Sequence, residues 1–317
     1  MTDRGTGSIQ PSAVRTSVDG VLLLDKPQGI TSNAALQRVK RLLAAKKAGH
    51  VGTLDPMATG VLVACLGRTT RLIECIQELP KTYAAEIRFG FTSTTDDADG
   101  ELSPAAEVEP PSETAFRALL DQFTGSILQK PPRFSAVKIA GRRAHKIARS
   151  GVEPDLVPRP VHIRAIEVES FEWPMARIKV HCGKGTYIRS LARDVGEALG
   201  TGGYIAALRR LAVGPYTVEG AIGRDNWEQD KLRAALQGRE SAVAALPRIE
   251  LPVAVADSLC HGRPQQALPD WPARVDHAVF DSTGRMRSVA HVSDGMLRPT
   301  KVFHAPDSVS QRPIVTG

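Results

Sequence analysis

The chain has 317 residues, which suits two domains on a prior of about 150 residues each. At 42% hydrophobic and 24% charged it has the make-up of an ordinary globular protein. No apolar run reaches the ~18 residues that a membrane span requires. The formal net charge is +7 with a pI near 9.4, a balance that attracts phosphate but says less than the way the charges are distributed.

In chain order, residues 1–18 are polar, lack the apolar centre of a signal peptide and read as a flexible tail. The apolar run at 20–25 predicts a strand stopped by Lys26-Pro27. Thr31-Ser32-Asn33 offers a helix N-cap, Leu36, Val39 and Leu43 recur at helical spacing, and Gly49 supplies a stop. Residues 49–60 (GHVGTLDPMATG) predict a tight irregular loop, because glycine reaches backbone angles that other residues avoid. Strands follow at 61–66 and at 83–89, the second with Ala85, Ile87 and Phe89 on one face. Pro110-Pro111 precedes a helix with Phe116, Leu119, Leu120 and Phe123 inward. Segments 134–139, 161–173 and 176–182 predict further strands and connections. Gly183-Lys184-Gly185 then opens a helix with Ile188, Leu191, Val195 and Leu199 inward.

From about residue 250 only short β-like runs remain, at 278–280, 288–292 and 300–303. This predicts a main domain over 19–249 and a small β-rich domain over 250–317. Helices and strands mix without strict alternation, so the expected class is α+β rather than doubly wound α/β.

The charges are grouped. Residues 26–54 hold six Lys/Arg and no acid. Residues 122–152 hold seven, again with no acid: Lys130, Arg133, Lys138, Arg142, Arg143, Lys146 and Arg149. The stretch between them, 95–113, is acidic, and 251–317 nets only +1. One basic run is compatible with a solvated face; two acid-free runs flanking an acidic one favour a polyanion.

The chemical candidates narrow by exclusion. Cys65, Cys75, Cys182 and Cys260 form no C-x-x-C pair, and the histidines do not join them at zinc spacing, so no metal site is expected. Unpaired packed thiols fit a reducing compartment, and the cytoplasm is the expected location. Gly-Lys-Gly-Thr at 183–186 fails the Walker pattern, since Gly185 follows the lysine and Ile178 stands where glycine is needed. What remains there is a glycine turn opening a helix that carries Arg189. Asp55 lies in the glycine-bounded loop, where it is either a functional carboxylate or one that bonds its own backbone.

Taken together, GVLLLDKPQGITS, GHVGTLDPMATGVL, KTYAAEIRFG, the Thr/Asp-rich stretch ending DADG, PPRFSAVK, GKGTYIRSLARDVG and LRRLAVG resemble the bacterial TruB family of tRNA pseudouridine synthases, in order and spacing, from about Asp19 to about Pro215. The resemblance implies a pseudouridine-synthase fold (a mixed, mainly antiparallel sheet with flanking helices) and a PUA-like C-terminal domain. It implies isomerisation of uridine 55 in the tRNA T-loop, without cofactor, by a monomer acting on the T-stem-loop. Asp55 would be the essential carboxylate, Arg189 its partner and Tyr83 the residue stacking on the flipped base. His50, Tyr187 and Leu208 would line the substrate pocket, and Asp97 would contact RNA. The basic segment, about 130–160, matches an insertion that closes over RNA. Phe134 stands where the family more often has Tyr, and His145 where an aromatic is common; both keep a flat ring.

Two rivals differ in class. An RNA-folding protein would keep the basic runs without needing Asp55, Tyr83 and Arg189 together, although tRNA folding is compatible with the enzyme as an accessory activity. A zinc deaminase would need H-x-E and P-C-x-x-C, which are missing, and a glycosidase would need a second catalytic carboxylate.

Overall fold

In the computed structural model, which describes residues 18–106 and 109–303, the first apolar run forms β1 (Gly20–Lys26). Helix α1 (Ser32–Leu42) starts at Thr31, whose side chain accepts from Ala34 N, and buries Ala35, Leu36 and Val39. It ends seven residues before the predicted stop, because Ala44 adopts a φ of 51° and turns the chain. Strands β2 (Ala48–Val51) and β3 (Thr59–Leu66) follow, so the expected loop over 49–60 is corrected: its first three residues pair with β3.

After α2 (Ile73–Gln77) come β4 (Lys81–Phe89) and a hairpin of β5 (Phe91–Ser93) and β6 (Leu102–Pro104). Helix α3 (Glu113–Leu120) leads to β7 (Gly125–Gln129). The basic segment holds only β8 (Lys138–Ile139), β9 (Arg142–Arg143) and α4 (Ala144–Arg149), so of the strand expected over 134–139 only the last two residues form one, after bends at 134–136. Next are β10 (Arg159–Glu172), β11 (Met175–Cys182), α5 (Ile188–Ala198), β12 (Gly203–Val213) and β13 (Tyr216–Thr217).

The main sheet runs β1-β3-β12-β4-β11-β10-β7, with β2 on β3 and β13 on β12. Its pairings are antiparallel except β3 with β12, where Thr59 faces Arg209 and Gly60 faces Arg210. That short parallel contact joins the two halves of the sheet. Alternation divides the apolar runs between two layers: Leu22, Leu24, Leu62, Ala64 and Leu66 pack under α1, while Val21, Leu23, Val61, Val63 and Cys65 face the opposite way. Strands buried on both faces are continuous apolar runs for this reason. A third cluster, under α3 and α5, carries Ile87, Phe89, Phe116, Ile178, Val180, Leu191 and Val195.

Helix α6 (Gln229–Ala234) precedes β14 (Arg248–Leu251), α7 (Val253–Cys260), β15 (Gln265–Gln266), β16 (Asp276–Asp281), β17 (Met286–Ser293) and β18 (Met296–Val302). These strands form a second sheet, β14-β16-β17-β18-β15, in which Arg248 already pairs with Ala278. The molecule is thus α+β with a sheet-rich C-terminal part. Of the expected tail only residue 18 is described, and residues 304–317 of the expected C-terminal domain lie outside the described residues. Among the described residues no helix is long and apolar enough to cross a membrane.

Candidate active site

Two anchors hold the aspartate loop, and both act on backbone. On one side Lys26 is fully buried, and its Nζ donates to the carbonyls of Pro27 (2.9 Å), Ile30 (2.8 Å) and Pro56 (3.3 Å). Burial drives this ammonium down to about 8, and the Asp55 charge acts against that shift. Ser32 completes the anchor, donating to Leu54 O at 2.9 Å and accepting from Leu54 N at 2.8 Å.

On the other side stands Arg210, 1% exposed. Its Nε donates to Val61 O (2.8 Å), Nη1 to Gly52 O (3.0 Å) and Nη2 to Val51 O (3.4 Å). A single guanidinium therefore ties the strand entering the loop to the strand leaving it. Gly60 lies so close that a Cβ there would sit 2.2 Å from Arg210 O, and its φ is 102°.

Arg189, in the first turn of α5, is the hub of the site. Its Nη1 donates to Thr95 O (2.8 Å) and lies 3.1 Å from Asp97 Oδ2. Its Nη2 donates to Phe134 O (2.9 Å), and its Nε lies 3.0 Å from Asp55 Oδ2. The Nε–H does not point along that last line, so the contact is an ion pair and not a straight hydrogen bond. The Arg189 and Asp97 side chains are 5% and 4% exposed, whereas Asp55 keeps 35% open. Asp55 is therefore the accessible end of a buried charge chain. Burial pushes its carboxyl above the ordinary value; Arg189 and Lys26 oppose the shift, and Asp97 adds to it.

Asp97 is placed differently from the expectation. It accepts from Thr95 Oγ1 and from Asp99 N behind Arg189, so it faces the protein interior and not an RNA-facing surface. A carboxylate this buried needs a cationic partner, and Arg189 supplies it.

The remaining predicted pocket residues surround the loop. His50, on β2 opposite Ala64, has a buried Nδ1 with no partner among the described residues; burial, then the Arg210 charge, holds its proton affinity down. Tyr83 sits opposite Arg210 in the β4–β12 register; burial raises its phenol and Arg210 opposes the rise. Leu208 packs across from Ala85. Tyr187 is clamped by Gln129, which accepts from its N (2.8 Å) and donates to its O (3.0 Å). A cavity of about 280 Å³ beside the loop is lined by Gln28, Met57, Thr59, Ala84 and Leu208; Asp55 and Arg189 are not in its wall.

The basic segment begins at the site itself, since Ser190 and Arg193 donate to Lys130 O at 2.8 and 2.9 Å. All seven predicted cations are exposed. Arg133 meets Glu153 at 2.6 Å, one residue beyond the acid-free run, while the other six have no carboxylate partner among the described residues.

Reading the sequence missed Lys26, Ser32, Gln129 and Arg210. For Arg210 a signal existed: it lies two residues beyond Leu208 on one strand, so a charge was being placed on a buried face.

With this geometry in view, the comparisons define the class. Residues 40–188 match the TruB family pseudouridylate synthase (N terminal domain), and residues 189–253 match the tRNA pseudouridylate synthase B C-terminal domain. The chain belongs to the TruB family of pseudouridylate synthases. It is 42% identical over 306 residues to a tRNA pseudouridine synthase B of Burkholderia mallei, covering 94% of this chain and 98% of the relative. It is 40% identical over 304 residues to that of Stutzerimonas stutzeri, covering 93% and 99%. A solved Cbf5-Nop10-Gar1 complex contains a chain with a TM-score of 0.70 and 26% identity, covering 90% of this chain and 85% of that one. An H/ACA RNP bound to a substrate RNA contains another at 0.70 and 24%, which speaks to the pseudouridine-synthase fold.

Proposed function

We propose that this chain converts uridine 55 of the tRNA T-loop to pseudouridine, with Asp55 acting at C1′ of the ribose. The carrying observation is a partly open carboxylate held 3.0 Å from a buried guanidinium at the end of a glycine-bounded loop. The relatives' name, tRNA pseudouridine synthase B, supports tRNA as the substrate.

The target base leaves its stack to reach the loop, as an enzyme that works on a base requires. Tyr83 stacks on it, and His50, Tyr187 and Leu208 bound the pocket. An Asp55 oxygen forms a bond to C1′ as the C1′–N1 bond breaks, and the electron pair leaves on uracil. The base turns, C5 bonds to C1′, and the carboxylate is released. C5 then loses its proton and N1 gains one, so the overall change is an isomerisation. Arg189 keeps Asp55 ionised for the first step. Exposed cations from Lys130 to Arg149 contact phosphates of the T-stem-loop. The catalytic unit in this reading spans 19–249, with a PUA-like domain after it.

Mapping the product tests the reading. Full-length tRNA transcript incubated with the chain, treated with carbodiimide and read by primer extension, should stop at one T-loop uridine. A stop elsewhere would move the target, and no stop at any uridine would remove the function.

A further inference from the structure

Helix α1 and the turn after it carry Arg38, Lys40, Arg41, Lys46 and Lys47 and no acid. The helix buries Ala35, Leu36 and Val39, which leaves the basic face outward. No carboxylate of the described residues pairs with any of the five. Other cations of the main sheet and its connections do meet acids, among them Arg177 with Glu86, Lys179 with Glu169, Lys184 with Glu78, Arg209 with Asp25 and Arg239 with Asp19. Lys40 and Arg41 have a local reason, since cations in a last turn complement the helix dipole. Lys46 and Lys47 lie beyond the helix, side by side and exposed, where that reason does not apply.

The position of the face is fixed. Ser32, in the first turn of α1, bonds Leu54 in both directions, so the helix starts at the aspartate loop and its cations begin roughly 9 Å along it, at Arg38. It packs on β1 and β3, at one end of the main sheet. The basic segment follows β7, at the other end of the sheet, and returns to the site at Phe134, whose carbonyl accepts from Arg189 Nη2. Asp55 lies between the two.

We propose that the exposed face of α1 binds the phosphate backbone of a part of the tRNA outside the T-stem-loop, on the far side of Asp55 from the basic segment. This rests on the reading that tRNA is the substrate. A stem-loop held by the basic segment with one nucleotide at Asp55 leaves α1 free, and the rest of a folded tRNA supplies the phosphates that its charge complements.

The test combines Lys40→Gln, Arg41→Gln, Lys46→Gln and Lys47→Gln, with Lys46→Gln/Lys47→Gln alone as a variant that leaves the helix untouched. Dissociation constants are measured for full-length tRNA and for the isolated T-stem-loop from about 50 to about 200 mM salt. For full-length tRNA the fourfold variant should bind roughly tenfold more weakly, with its salt slope reduced by about 3, at ~0.7–0.9 for each phosphate no longer neutralised. The double variant should show about half that slope change. T-stem-loop affinity and its single-turnover isomerisation should stay unchanged. Equal losses on both RNAs, or no loss on either, would overturn the proposal. Failure of the unsubstituted chain to isomerise the T-stem-loop would instead count against the functional reading, whatever α1 does.

Discussion

Asp55, Arg189 and Asp97 form a chain of two acids on one guanidinium, and the order of burial assigns their parts. The inner acid holds the arginine, and the outer acid shares what charge remains. Because burial raises the Asp55 carboxyl, and the role proposed for it needs the ionised form, activity should fall as pH drops through a pKa above the ordinary carboxylate value. Asp97→Asn removes a charge that adds to the rise, so the acid limb of the single-turnover rate should move to lower pH. An unmoved limb would show that Asp55 does not titrate in it. Arg210 grips the loop through backbone carbonyls. Arg210→Met leaves the carbonyls of Val51, Gly52 and Val61 without their donor, and thermal or urea unfolding should show a loss of about 3–5 kcal/mol. Asp55 and Arg189 were legible because motif residues name them. Lys26 and Arg210 were not, because their partners are carbonyls brought together from distant segments, which a string of side chains does not print.

At the scale of elements, the loop is held in register by α1 on one side and by the β3–β12 contact on the other. Ser32→Ala removes both bonds to Leu54 and should cost about 1–3 kcal/mol, with slower turnover from a looser loop. Gly60→Ala is harsher. The new Cβ would press on Arg210 O from a φ of 102°, so the variant should fail to yield folded protein, as circular dichroism would report. The strands β1, β3, β4, β10 and β11 were readable as apolar or alternating runs. Strand β2 was not, because Ala-Gly-His-Val has no alternation and pairs only through β3. Helix α7 escaped too, since Val-Ala-Val-Ala reads equally as strand, and tertiary packing decides.

Over the whole molecule, the two sheets share one apolar layer. Ala278, Phe280, Met286, Val289 and Phe303 pack with Val21, Leu23, Val61, Val63, Leu72 and Ile76. The guanidinium groups of Arg71 and Arg239 each lie 5.2 Å from the Phe303 ring centre, and Lys301 reaches Glu74 at 2.9 Å. Phe280→Ala should therefore lower the stability of the whole chain by about 3–5 kcal/mol in one transition. A separate early melt of the C-terminal sheet would contradict a shared layer. The position where that sheet begins was only roughly legible. Strand β14 is defined by pairing with β16, some thirty residues later, and no local signal records such a pairing.

Loss of hydrogen from C5 reports most directly whether the Asp55 carboxylate does the chemistry. A T-stem-loop RNA carrying tritium at C5 of its uridines would be given in single turnover to the native chain and to Asp55→Asn. Tritium should be released by the native chain and not by the variant, with RNA affinity retained. Release by Asp55→Asn at a comparable rate would contradict that role and place the catalytic group elsewhere in the site.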